Sequence, residues 1–116
     1  YHYSFESLES EGKLIRPKVP KYNTNNAHMY FLILKSKKMR DCFIKDMKKF
    51  SIQCTSHYVP LHSTNFGKNF ITKKTNLKNT ELLAKRIVRL PLWPGLEEHQ
   101  DYIIQKAKET ITNFFK

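Results

Sequence analysis

The side chains best equipped for chemistry are crowded into HYVPLH, positions 57 to 62. His57 and His62 bring imidazoles, and Tyr58 brings a phenol. Pro60 fixes its own φ and restrains Val59, so the rings ride on a stiff bend with little entropy left to lose on binding. Rings held this way can hydrogen-bond the hydroxyls of a sugar or stack on its apolar face. The plainer reading of His57, at a strand end, is a hydrogen-bonded structural group. His28 opens the most apolar stretch of the chain, and its plain reading is a satisfied core histidine.

Other chemistries are poorly supplied. Metal binding by His57 and His62 lacks a third ligand nearby in sequence. Cys42 and Cys54 form no CxxC pair. Each falls in an apolar pattern, as a small buried hydrophobe in a reducing setting. A Cys54–His57 couple is disfavoured, because residues three apart on a strand point to opposite faces. GxSxG, P-loop and GxGxxG motifs are absent, and 3 glycines exclude a phosphate-cradling loop of the usual type.

Periodicity supplies the elements that must carry these residues. Tyr1, Phe5 and Leu8 recur at i, i+4 and i+7, which predicts a helix ending at Gly12. The pattern opens in mid-helix, as in a piece of a longer protein. Residues 14–26 carry two prolines and three asparagines and read as an extended connector, with a short strand at Leu14 to Arg16. AHMYFLILK, residues 27–35, is the strongest strand, and its near-continuous apolar run predicts cover on both faces. Ser36 is placed to cap a helix whose stripe is Met39, Phe43, Met47 and Phe50. IQCTSHY, residues 52–58, alternates as a strand, with Ile52, Cys54 and Ser56 on one side.

Residues 63–79 read as a long loop pinned by Phe66, Phe70, Ile71 and Leu77, and loops of that length are usually functional. Asn79 or Thr80 can cap a helix over ELLAKRIV, residues 81–88. The prolines confine RLPLWPGL to an edge strand or extended turn. Glu97, Glu98 and Asp101 open a last helix with Ile103, Ala107, Ile111 and Phe114 as its stripe. The sum is an α+β domain: a small, mostly antiparallel sheet with helices packed on one face.

An apolar fraction of 40% excludes a disordered chain. No run approaches the roughly 20 apolar residues of a membrane span, and YHYSFESLES lacks the pattern of a signal peptide. A formal charge of +11 makes nucleic acid the first partner to consider. Yet the cations are 17 lysines against 4 arginines, scattered as pairs such as Lys48-Lys49. Base readout and phosphate clamping favour arginine forks or clustered patches, so a solvated lysine surface is the better reading.

The ordered set NAHMYFLIL, HYVPLH, Phe66-Gly67 and RLPLWPGL resembles the C-terminal small domain of the DegT/DnrJ/EryC/StrS sugar aminotransferases. These are pyridoxal-phosphate (PLP) enzymes of fold type I that aminate keto-sugar nucleotides. The NAHM segment is most similar to the dTDP-4-amino-4,6-dideoxygalactose transaminase subgroup. The resemblance runs from about Leu14 to the end and implies one small domain over 1–116. Residues 1–12 would be the end of an interdomain helix and 13–116 the α+β unit.

It implies further that His57, Tyr58 and His62 line a nucleotide-sugar pocket with His28 nearby, and that glutamate is the amino donor. The Schiff-base lysine and the other PLP ligands would lie in a missing large domain, which would be this chain's main partner. No lysine here is assignable to that role, so the expectation is a cytoplasmic homodimeric parent enzyme and a fragment that binds no PLP and is inactive alone. An apolar surface at Tyr1, Phe5, Leu8 and Trp93 would meet the large domain. The rival readings are a stand-alone basic nucleic-acid-binding module and a small protein-interaction module.

Overall fold

A computed structural model describes residues 1–70 and 76–116. A 3-10 turn, Tyr3–Phe5, runs into α1, Glu6–Ser10. There follow β1 (Leu14–Ile15), β2 (Tyr30–Leu34), α2 (Lys37–Lys49) and β3 (Thr55–Ser56). A second 3-10 turn, Leu61–Ser63, leads to α3 (Asn65–Lys68), α4 (Lys78–Arg86), β4 (Ile87–Leu90) and α5 (Glu97–Asn113). The strands form one antiparallel sheet in the order β1-β2-β4-β3. This is the small α+β architecture that the periodicities imply.

The register decides which face is buried. Leu14 lies opposite Leu34, and Leu32 opposite Val88. Opposed residues share a face, and these four side chains are all buried. Phe5 and Leu8 beside α1, Phe43 and Met47 of α2, and Ile103, Ala107 and Ile111 of α5 join the same core cluster. Helices therefore cover that face. On the other face Ile15 is exposed, and Phe31, Ile33 and Ile87 are half-buried. The expected double cover of β2 is thus corrected to full burial on one side. An apolar run cannot distinguish two covered faces from one covered face and one apolar, half-exposed face.

α2 follows its sequence signals closely. Ser36 Oγ accepts the Met39 N–H at 3.1 Å, a cap worth about 1 kcal/mol. Phe43 and Met47 are fully buried, while Met39 and Phe50 pack at the edge of the core. α5 lies against it, with Ile103, Ala107, Thr110 and Ile111 buried and Phe114 partly so. Cys54 is buried as expected, but Cys42 is only half-buried.

Several boundaries move. β4 covers Ile87 to Leu90 and lies between β2 and β3, so it is a central strand and not an edge. Ile87 and Val88 are β-branched and prefer the sheet to the end of a helix. Pro91 and Pro94 bar the ladder from continuing, which places them beyond the strand. α4 begins at Lys78 behind Leu77 with no side-chain cap, so neither Asn79 nor Thr80 serves as one. Only Thr55 and Ser56 of IQCTSHY pair with β4, although Ile52 and Cys54 keep the alternate burial read from the pattern.

The stretch 63–79 contains α3, whose first turn is closed by Thr64 Oγ1 accepting the Gly67 N–H at 2.9 Å. A Cβ on Gly67 would collide with the Leu61 carbonyl, so this turn requires glycine. The proposed anchor Ile71 lies outside the described residues.

The N-terminal residues depart most from expectation. Phe5 and Leu8 were expected on an exposed surface and are instead buried in the core. Gly12, at φ +67°, turns the chain after α1 so that this short helix folds back onto the sheet. Trp93 is 52% exposed. Tyr1 is half-buried and donates its hydroxyl to the Pro91 carbonyl at 2.9 Å.

Candidate functional site

HYVPLH forms a bend stitched by its own hydrogen bonds. The Ser63 hydroxyl and N–H both donate to the Pro60 carbonyl, at 2.8 and 2.9 Å. Thr64 Oγ1 donates to the Leu61 carbonyl at 2.8 Å. Pro60 sits at φ −54° and ψ 132°, as its ring requires. The stiffness read from the sequence is therefore reinforced by three local bonds.

The bend separates its rings. His57 is half-buried, with its ring centroid 5.1 Å from that of Tyr58 in an edge-on contact. It lines a cleft of about 350 Å³ with Arg40, Ser56, Glu81 and Lys85. His62 lies beyond Pro60 and lines a different, mostly apolar groove with Leu61, Phe66, Phe70 and Leu77. Its Nε2 is 3.3 Å from Glu81 Oε1. Tyr58 is 78% exposed on the rim, and Val59, Leu61, Phe66 and Phe70 are exposed around it.

His28 is placed elsewhere. β2 starts at Tyr30, so His28 falls in the connector before it, exposed, with Nδ1 2.7 Å from Asn26 Oδ1. It is thus not a core histidine, and it lines neither cleft beside HYVPLH.

A third cleft, of about 680 Å³, opens between the N-terminus and the connector, where Tyr1, Arg16 and Tyr30 are among its walls. Arg16 is fully engaged there. Its Nε donates to Glu9 Oε2 at 2.8 Å, its backbone N–H to Glu9 Oε1 at 2.8 Å and its Nη1 to the His2 carbonyl at 2.7 Å. The backbone and side-chain hydrogen bonds from Arg16 hold the Glu9 carboxyl below its ordinary range. Burial pushes the Tyr30 phenol up to about 12, and its hydroxyl makes no hydrogen bond.

Nucleophilic chemistry finds no support at Cys54. Burial pushes its thiol up to about 12, so the reactive thiolate is scarce at neutral pH. No group of three or more His, Cys, Asp or Glu is arranged to hold a metal among the described residues. No helix among them is long and apolar enough to cross a membrane.

Sequence reasoning passed over Arg40. A signal was available: arginine is the rare cation here, and all four arginines are half-buried or buried while most lysines are exposed. A guanidinium is more weakly hydrated than an ammonium and is the cation that tolerates burial.

Residues 1–108 match the DegT/DnrJ/EryC1/StrS aminotransferase family. An uncharacterized protein of Methanocaldococcus jannaschii is 32% identical over 97% of this chain and 30% of its own length. The fold is shared with NtdA of Bacillus subtilis, solved with bound cofactor PMP, at a TM-score of 0.80 and 19% identity over 97% of this chain and 26% of that one. It is shared also with Helicobacter pylori PseC, an aminotransferase involved in the biosynthesis of pseudoaminic acid, at a TM-score of 0.77 and 15% identity over 97% and 31%. The chain thus spans under a third of the length of these relatives. With the match running over nearly all of its residues, the chain belongs to the DegT/DnrJ/EryC1/StrS aminotransferase family.

Proposed function

We propose that this chain is the small domain of a PLP-dependent aminotransferase that aminates a nucleotide-linked keto-sugar with glutamate as donor. The acceptor we infer is a dTDP-4-keto-6-deoxyhexose. The observation that carries the reading is the HYVPLH bend, stitched stiff and presenting His57, Tyr58 and His62 at a rim of exposed apolar side chains. A rim of that kind suits a surface covered by a further domain. The large domain of the parent, in a homodimeric cytoplasmic enzyme, is the partner we assign to it.

PLP supplies an electron sink for amino transfer when it is bound. It needs a lysine amine desolvated or otherwise tuned by its site. No lysine among the described residues is buried, and we assign that role to a lysine of the large domain. The contribution of this chain is recognition. Tyr58, Val59 and Leu61 would cover the methyl edge of a deoxyhexose, while His57 or His62 hydrogen-bonds a remaining hydroxyl.

The test is a pair of variants in the complete enzyme, His57→Ala and His62→Ala. The keto-sugar half-reaction is measured separately from the glutamate half-reaction. Loss of one hydrogen bond in a desolvated pocket costs about 1–3 kcal/mol, roughly tenfold to a hundredfold in kcat/KM. The reading requires the sugar half to fall and the glutamate half to stay level. Equal losses in both halves, or none in either, would return HYVPLH to a structural turn.

A further inference from the structure

Glu81 is the only acid of α4, and its carboxylate reaches the HYVPLH bend. His62 Nε2 lies 3.3 Å from Glu81 Oε1, across 19 positions of sequence. The His62 side chain is 18% exposed and that of Glu81 50%. Both partners stand on closed turns. The Glu81 N–H donates to the Leu77 carbonyl at 3.0 Å. His62 sits in the 3-10 turn that the Ser63 and Thr64 bonds stitch shut. α4 itself buries none of its residues. Among the described residues, two side-chain hydrogen bonds tie it to other elements. One is this contact at its first turn, and the other runs from Arg86 Nε to the Leu34 carbonyl at 2.6 Å, at its last.

The chemistry of the pair fixes which nitrogen does what. An ionised carboxylate only accepts hydrogen bonds, so the proton of this contact is on Nε2. In a neutral imidazole the other nitrogen, Nδ1, is then an acceptor. A carboxylate behind a histidine selects the tautomer and holds the ring in one orientation, as in the serine-protease triad. The two ring nitrogens point apart, so with Nε2 turned to α4 the Nδ1 atom turns away from it. His62 lines the groove walled by Leu61, Phe66 and Phe70. An acceptor on that ring suits a ligand group that donates, such as a sugar hydroxyl, and not a carbonyl oxygen. The Nδ1 atom of His57 is buried and makes no hydrogen bond, so no such partner orients that ring there.

We propose that Glu81 is a positioning residue that orients His62 to accept a hydrogen bond from a substrate hydroxyl. The inference rests on the nucleotide-sugar reading and deepens it. It assigns the hydroxyl contact to His62 and not to His57, and it names Nδ1 as the atom that makes it. Glu81 acts through the ring and touches no substrate.

The experiment uses the complete enzyme and measures the keto-sugar and glutamate half-reactions separately. Glu81→Ala should lower kcat/KM of the sugar half about tenfold, close to the effect of His62→Ala, and leave the glutamate half level. Glu81→Gln keeps an acceptor and should stay within about threefold of wild type. The double variant His62→Ala/Glu81→Ala should lose no more than His62→Ala alone, because the two residues act as one unit. Asparagine places its amide near the position of Nδ1, and glutamine places its amide near that of Nε2. His62→Asn should therefore retain more of the sugar half-reaction than His62→Gln. Circular dichroism checks that each variant folds. If His62→Ala does not fold, the Asn and Gln variants and the Glu81 pair decide the matter. An unchanged sugar half in Glu81→Ala beside a harmful His62→Ala overturns the inference and leaves the sugar reading standing. Losses that add in the double variant, or His62→Gln outperforming His62→Asn, do the same. So does a neutral His62→Ala beside a harmful His57→Ala. Neutral results at both histidines sink the sugar reading and the inference together.

Discussion

Arg16 and Arg40 are the same side chain in two opposite situations. Arg16 stands where the connector leaves β1, with its side chain 11% exposed, and two groups, the Glu9 carboxylate and the His2 carbonyl, receive its Nε, Nη1 and backbone donors. Arg40 stands at the start of α2 with its side chain 10% exposed and its Nε 2.6 Å from Oδ1 of its neighbour Asp41. Burial is nearly equal, so burial does not explain the difference. The region around Arg16 is complete in itself, as expected of a structural clamp that ties α1 to the connector. The Arg40 pair with Asp41 lies within a single helix and ties no second element to it. The two cations differ in what they tie together, not in how deeply they lie.

Breaking the clamp should produce the largest effect. Glu9→Ala removes the acceptor of two Arg16 bonds and leaves the guanidinium with only the His2 carbonyl and Glu6 among the described residues. We expect a clear drop in the urea midpoint of unfolding. An unchanged midpoint would erase the contrast between the two arginines.

Acid should reach the same clamp reversibly. The Glu9 carboxyl is held below its ordinary value in the folded state, chiefly by the Arg16 hydrogen bonds. A depressed carboxylate stabilises the fold above its unfolded pKa, and that stability is lost as pH falls through the folded value. Stability should therefore decline from about pH 4.5 downward, the unperturbed carboxyl value. Glu9→Gln should flatten this limb in pH-dependent urea melts. An unchanged limb would assign it to other acids, such as Asp41, which is also held low by Lys37 and Arg40.

Arg40→Met should behave in the opposite way to a lesion in the clamp. Replacing a buried ion-paired charge by an apolar side chain of similar length is often neutral or stabilising. Stability should stay level or rise by about 1 kcal/mol. A loss as large as that of Glu9→Ala would show that the Arg40–Asp41 pair holds the fold as the clamp does.

The smallest effect belongs to the lysine surface. Lys49 is exposed and, among the described residues, pairs only with Asp46, three residues back along α2. Lys49→Ala should change stability by less than about 0.5 kcal/mol in urea unfolding. A larger loss would mean that surface pairs along α2, and not the clamp at Arg16, hold the fold.

Much of the fold was legible because it is local. The α2 stripe, its Ser36 cap, the Gly12 stop and the stiff HYVPLH bend each depend on residues within a few positions of one another. What failed depended on distant partners. Ile87 and Val88 read as the end of a helix and Arg89 and Leu90 as an edge strand or extended turn, because only pairing with β2 and β3 shows their central place in the sheet. Phe5 and Leu8 read as an interface, because nothing nearby in sequence reveals that β1 and β2 bury them.

The candidate site divides along the same line. Residue types and the proline determined by themselves that positions 57 to 62 would be ring-rich and stiff. Tertiary structure decided that His57 and His62 would part around Pro60 into separate clefts, and that His28 would stand apart from both. It also decided that Arg40, seventeen residues before His57, would form the wall opposite. The reason is physical. A bend's stiffness is a property of its own dihedrals, whereas a cleft exists only where helices packed on a sheet bring remote side chains to the same space.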